Sequence, residues 1–136
     1  MILKWIKNMK TILFLLISFI AITALLSGIL MISNPDGSIL NLPLSLLNGT
    51  PFKDFTMPGI LLAVIVGGIN LLAVFFNLKR QTNRYNWALA GGLVIFGWII
   101  IQMILIGAFH WLHILYLIIG ILIILISYQL KGKWAV

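Results

Sequence analysis

The chain has 136 residues, of which 62% are hydrophobic and only 8% are charged, with a formal net charge of +7 and no cysteine. A soluble domain carries roughly 25% charged residues, so nine basic and two acidic side chains are too few for a water-soluble surface. The composition therefore predicts a single membrane domain. The lack of cysteine excludes disulfides, thiol catalysis and cysteine-ligated metal centres.

The first long apolar segment follows three lysines and predicts a membrane anchor. Lys4, Lys7 and Lys10 precede the uncharged residues 11–32, a stretch of 22 residues. A helix of about 20 residues crosses a bilayer. The alternative is a secretory signal peptide, but the apolar region of a signal peptide has only roughly 7–15 residues. We therefore predict the first transmembrane helix at residues 11–32.

Residues 33–56 are expected to form one long loop on the outer side. The apolar part around Pro43 is too short to span a bilayer, so we expect it at the membrane interface or over the outer end of the bundle. Asn41 is expected to cap a short helix near Pro43–Leu47. Thr56 is expected to cap the second long helix, and Asp54 to favour the positive end of that helix.

The remaining apolar sequence predicts three further transmembrane helices. Residues 57–78 form the second span, and Lys79, Arg80 and Arg84 follow it. The next 46 residues have no charge and as one helix would measure about 69 Å, over twice the hydrocarbon thickness. The chain must therefore turn back, and we predict spans at residues 87–107 and 111–130. The predicted fold is all-α, an up-down bundle of four transmembrane helices.

The distribution of lysine and arginine predicts the orientation in the cell membrane. Three basic residues lie before the first span, three lie between the second and third spans, and two follow the fourth. The opposite side has one basic residue, Lys53, and both acids, Asp36 and Asp54. Because basic loops stay on the cytoplasmic side, we predict a multi-pass protein of the cytoplasmic membrane with both termini in the cytoplasm.

Small and polar residues are expected where transmembrane helices touch. In the second span they form one stripe: Gly59, Ala63, Gly67, Asn70 and Asn77. In the first, third and fourth spans they form further faces: Ala21, Ala24 and Gly28; Ala88, Gly91, Gly92 and Gln102, with Trp98 at the edge; and His113, Tyr116, Gly120 and Ser127. The stripe of the second span indicates either the lining of a permeation path or close packing, and we favour packing.

Gln102 carries an amide at membrane depth and needs a hydrogen-bond partner. An unpaired amide in hydrocarbon costs about 2–7 kcal/mol. We therefore expect Gln102 to point into the bundle and to bond Asn70 or a backbone carbonyl.

The chemistry available to the chain is limited. No Asp, Glu, Lys or Arg lies within a predicted span, which argues against proton-coupled pumps and against small multidrug antiporters. His110 and His113 are three residues apart, and Asp54 or Asp36 is expected on the same side. A zinc site needs three or four ligands, and the histidine spacing supplies two. We predict no catalytic residue, no metal and no cofactor.

Two motifs carry a family resemblance. The stretch Phe52–Gly59 resembles an F-x-D-[FY]-x-x-P-G pattern of small bacterial membrane proteins, and Trp98–Gln102 is similar to their W-x-x-x-Q segment. The resemblance covers residues 34–130. It implies a four-helix bacterial membrane protein of unassigned function and makes Asp54 and Gln102 worth mutating.

Two functions are therefore expected, with membrane lipids, a second copy or another membrane protein as partners and without nucleic acid. The first is a non-catalytic protein that binds a lipid, a small apolar ligand or another membrane subunit. The second is a small oligomeric transporter or channel lined by Asn70, Asn77 and Gln102. An enzyme is less favoured, because His110 and His113 with Asp54 are its only plausible centre.

Overall fold

The computed structural model describes residues 2–39, 42–106 and 111–132, and this part of the chain is helical, with no strand. Each of the four long helices is long and apolar enough to cross a membrane, which confirms an all-helical chain with four such helices. The helices are α1 Ile2–Ser33, α2 Thr56–Leu78, α3 Arg84–Ile106 and α4 Trp111–Gly132.

The helices are longer than the apolar runs from which they were predicted. The clearest case is α1, whose 32 residues measure about 48 Å and begin nine residues before the predicted span. Lysine ends an apolar run but is itself a good helix former, so the helix continues through it. Ile6 in this extension is buried in the same core cluster as Tyr85 and Leu130, so packing also stabilises it.

Helices that are neighbours in the chain pack antiparallel. Gly28 of α1 lies against Gly59 of α2, and Leu25 lies against Gly67. The same direction of pairing holds between α2 and α3 and between α3 and α4. The bundle therefore has a basic end, defined by seven described side chains, and a loop end, where residues 34–55 connect α1 to α2. The seven residues are Lys4, Lys7, Lys10, Lys79, Arg80, Arg84 and Lys131.

The backbones of α1 and α2 approach each other closely at two glycines. A Cβ atom built on Gly28 would lie 2.6 Å from the Gly59 carbonyl oxygen and 2.6 Å from the Cβ of Ala63. A Cβ on Gly59 would lie 2.7 Å from the Cβ of Met31. Both distances are shorter than van der Waals contact allows. Glycine is therefore required at both positions, as expected for close packing of transmembrane helices.

One turn of α2 is wider than the sequence predicted. Residues Leu62–Gly67 are π-helical, between α-helical segments on either side. A π turn adds one residue and rotates the following residues around the helix axis. Gly59, Ala63 and Gly67 contact α1, whereas Asn70, after the wide turn, contacts α3. The stripe of small and polar residues on α2 therefore contacts two helices, α1 and α3.

The interior is apolar and filled, and the exterior is apolar as well. Six large apolar side chains on α1, α2 and α4 have no exposed surface: Leu13, Ile17, Ile20, Val66, Ile123 and Leu130. No more than 33% of the residues in the most apolar window of any long helix are buried, so most of each window faces outward. An apolar exterior of this extent suits lipid and is incompatible with water.

The loop that connects α1 to α2 folds against the bundle. A short 3₁₀ helix spans Leu44–Leu47, with Pro43 and not Asn41 at its N-cap position; Asn41 lies outside the described residues. Phe55 is buried, and its backbone N–H donates to the Pro35 carbonyl at 2.9 Å, which joins the two ends of the loop.

The expected capping role of Thr56 is wrong. Thr56 is already the first residue of α2, and Phe55 occupies the N-cap position without a capping side chain. The carboxylate of Asp54 accepts a hydrogen bond from the Thr56 N–H at 3.0 Å instead. Asp54 thereby satisfies one of the N–H groups that a helix start leaves unpaired.

Replacing Gly28 by alanine should destabilise the bundle by about 1–3 kcal/mol, because the new methyl group overlaps the backbone of α2. Gly68 is the matched control, because a Cβ there meets nothing within 4 Å. Gly68→Ala should stabilise the helix by about 0.5–1 kcal/mol. Thermal unfolding in detergent measures both. Equal effects of the two variants would contradict the close α1–α2 contact.

Candidate functional site

Asn70 is the central polar side chain of the bundle. It has no exposed surface, and its Nδ2 donates to the Val66 carbonyl at 2.8 Å and to the Gly91 carbonyl at 3.4 Å. Val66 lies in the wide turn of α2, and Gly91 lies on α3. The amide therefore uses both donors on backbone carbonyls and connects α2 to α3.

Gly91 makes room for this amide. A Cβ atom on Gly91 would lie 2.5 Å from the Asn70 Oδ1, so any larger residue would displace the side chain. The buried Oδ1 has no hydrogen-bond partner and faces the Cα of Gly91.

The other two predicted amides lie elsewhere. Asn77 is half-buried near the basic end, and its Nδ2 donates to the Ala73 carbonyl of its own helix at 2.7 Å. Gln102 is half-buried near the loop end, and among the described residues its side chain makes no hydrogen bond. The predicted Asn70–Gln102 bond is wrong, because Gly91, which Asn70 contacts, is eleven residues from Gln102, about 16 Å along α3.

The three amides therefore form no continuous polar line in one protomer. Each lies at a different depth: Asn77 near the basic end, Asn70 in the interior, and Gln102 near the loop end. Of the three amides, only Asn70 connects two helices.

The aromatic and histidine candidates have packing roles where the structure describes them. Trp98 is half-buried against the hydrophobic core. Tyr116 of α4 stacks on Phe19 of α1, with ring centroids 6.0 Å apart. His113 is buried, with 8% of its surface exposed, at the start of α4. His110 lies outside the described residues.

The two carboxylates hold turns in the loop between α1 and α2. Asp54 accepts from the Thr56 N–H, as described above, and Asp36 accepts from the Ser38 N–H at 3.0 Å. The Ser38 backbone hydrogen bond holds the pKa of Asp36 below its usual value. Within the ranges that the structure describes, no group of three or more His, Cys, Asp or Glu side chains is placed to hold a metal ion.

The turn between α2 and α3 holds several cations in defined positions. Their number follows from the sequence, but these positions do not. Arg80 adopts a left-handed backbone conformation with φ of 51°. Arg84 Nη1 donates to the Gln81 carbonyl at 2.7 Å, and its guanidinium lies 4.6 Å from the centre of the Tyr85 ring. The Lys79 ammonium lies 5.9 Å from the centre of the Phe75 ring.

Sequence reasoning also missed the partner of Asn70 and the buried hydroxyl of Ser18. The Oγ atoms of Ser18 and of Ser127, which was predicted at a helix contact, are buried without a hydrogen-bond partner. The sequence identifies Gly91 as a small residue on a neighbouring helix. It does not predict that Gly91 lies opposite Asn70, because the wide turn rotates the second half of α2.

Comparisons of the chain with protein-family models, curated proteins and solved structures gave no match. The resemblance of residues 34–130 to small bacterial membrane proteins therefore stays a prediction, and the function is argued from the geometry.

Asn70 and Gly91 should show strong coupling in a double-mutant cycle. Asn70→Ala should cost about 1–2 kcal/mol through the lost interhelical bond. Gly91→Ala should cost about 1–3 kcal/mol through overlap with Oδ1. In the double variant the overlap is gone, so the combined cost should fall below the sum by at least about 0.5 kcal/mol.

Thermal unfolding in detergent gives these values, and Asn77→Ala with Gly91→Ala is the control pair. Asn77 bonds only its own helix, so this second pair should be additive. Additivity in the Asn70–Gly91 pair would contradict the contact.

Proposed function

We propose that this chain is a non-catalytic integral membrane protein that binds lipid, a small apolar ligand or another membrane subunit through its apolar exterior. The burial of Asn70 carries the proposal. Its amide lies deep in the bundle, has no exposed surface and donates to two backbone carbonyls. A polar group committed to backbone in this way holds helices together and is not available to line an aqueous path.

The packing of the interior supports the same function. Large aliphatic side chains fill the space between the helices, and the exposed large hydrophobic residues cover the outside. Binding at such a surface needs no catalytic group. It needs only an apolar partner of matching shape, which a lipid chain or another transmembrane helix provides.

We further propose that the basic end faces the cytoplasm, with both termini and the α2–α3 turn on that side. The basic end has seven described cations, whereas Lys53 is the one described basic residue of the loop end. This difference supports the orientation. Juxtamembrane lysine and arginine are retained on the cytoplasmic side during insertion.

An oligomeric transporter or channel is the second candidate. One observation favours it: the half-buried Gln102 amide has no hydrogen bond within the described part of the chain, and a second copy could supply one. A path of this kind would lie between protomers and would use Asn77 and Gln102, without Asn70.

The orientation predicts the labelling of single cysteines in intact cells, since the chain has none of its own. Lys53→Cys should react with a membrane-impermeant maleimide from outside. Gln81→Cys, in the exposed α2–α3 turn, should react only after the membrane is permeabilised. The opposite pattern would invert the proposed orientation.

Asn70→Cys should stay unlabelled by a charged thiosulfonate reagent in permeabilised membranes, because the side chain is fully buried. Gln81→Cys is the positive control for the reagent. Asn77→Cys and Gln102→Cys separate the two candidates, since labelling of both would support a path between protomers. Labelling of Asn70→Cys at the rate of Gln81→Cys would refute the filled bundle.

A further inference from the structure

The basic end of the bundle concentrates the positive charge of the chain. Seven of its described side chains are lysine or arginine. The whole chain has only two acids, Asp36 and Asp54, and both lie in the loop at the opposite end. Both side-chain carboxylates are therefore far from the exposed cations Lys79 and Arg80. The inner surface of a membrane, by contrast, presents anionic phosphate groups.

The α2–α3 turn concentrates these charges next to the membrane. Lys79 and Arg80 are exposed and directly follow the last residue of α2. Arg84 is held in place by its bond to the Gln81 carbonyl and by the Tyr85 ring. The Lys79 ammonium lies over the Phe75 ring, so one cation meets the boundary between the turn and the apolar helix surface.

An exposed apolar strip on α2 leads to this turn. The exposed residues Leu71, Leu72, Phe75 and Leu78 and the half-buried Gly68 recur at intervals of three or four residues and so share one face of the helix. Leu71 and Phe75 are each 50% exposed. Gly68 forms a notch in the strip, because a Cβ there would meet nothing within 4 Å.

The length of the strip matches one half of a bilayer. From Gly68 to Lys79 is eleven residues, a rise of about 16 Å. One leaflet contributes half of the roughly 30 Å hydrocarbon core. An acyl chain that begins at the level of Lys79 would therefore reach the Gly68 notch at the centre of the membrane.

We propose that this face of α2 with the α2–α3 turn is a binding site for an anionic phospholipid. The phosphate binds Lys79 and Arg80, and the charge of Arg84 adds to the attraction. One acyl chain lies along the strip from Phe75 to Gly68. The proposal deepens the proposed function and rests on it for the apolar exterior of the bundle and for the cytoplasmic side of the basic end.

The test uses the purified full chain in mild detergent with equimolar phosphatidylglycerol and phosphatidylcholine of identical acyl chains. Native mass spectrometry counts each bound lipid. The unmodified chain should retain phosphatidylglycerol in excess. The double variant Lys79→Gln/Arg80→Asn should lose that preference by about tenfold, because two charges next to the phosphate are removed. Asparagine is chosen because it tolerates the positive φ of Arg80.

The matched control is Lys4→Gln/Lys7→Gln, which removes two exposed charges from the same end but away from the turn. This control should keep the preference for phosphatidylglycerol. A loss as large as that of the turn variant would show diffuse attraction to the whole basic end and would overturn the site. An unchanged preference in the turn variant would overturn it as well.

The acyl-chain part has its own variant. Gly68→Leu places a side chain in the open space beside Gly68, where a Cβ meets nothing within 4 Å, so we expect the bundle to keep its thermal stability. The variant should bind fewer lipids of both headgroups by the same factor, and equal binding to the unmodified chain would refute the strip. These outcomes are distinct from the labelling of Asn70→Cys, which tests the filled bundle and leaves the lipid site unaffected.

Discussion

In hydrocarbon, backbone N–H and C=O groups have no water to bond, so each spanning segment must satisfy them within a helix. In the same solvent, burial of apolar side chains provides little driving force for helix association. Association depends instead on close backbone contact and a few polar groups. The chain meets both conditions. The Gly28–Gly59 contact brings α1 against α2 at backbone distance, and Asn70 connects α2 to α3 through the Gly91 carbonyl.

The structure distinguishes residues that hold the bundle together from residues that are exposed at its surface, a distinction that the sequence does not make. The amide at the centre is structural, since its burial and its backbone bonds commit it to the bundle. Exposed groups lie at the surface, where the apolar exterior of α2 meets Lys79 and Arg80 of the α2–α3 turn. A protein built in this way would act by what it binds at its edge, and its interior would supply a rigid support.

The number and approximate positions of the four helices follow from the sequence, because apolar run length and bilayer thickness leave little freedom. The small residues at the α1–α2 contact follow as well. The partner of Asn70 could not be predicted from the sequence. The wide turn at Leu62–Gly67 rotates the residues that follow it around the axis of α2, and a regular α-helical periodicity does not include such a turn. The helix ends were displaced for another reason. Lysine and arginine interrupt an apolar pattern but are compatible with helical backbone, as in residues 2–10.

The wide turn also gives α2 two angular settings within one element. Gly59, Ala63 and Gly67 pack on α1, whereas Asn70 after the wide turn bonds to α3; other residues after the turn still pack on α1. A straight helix with the same side chains would have to divide one fixed face between both neighbours. The extra residue in the turn thus changes the angular position of the residues that follow it, and this lets the polar Asn70 contact α3 while α2 as a whole stays packed on α1.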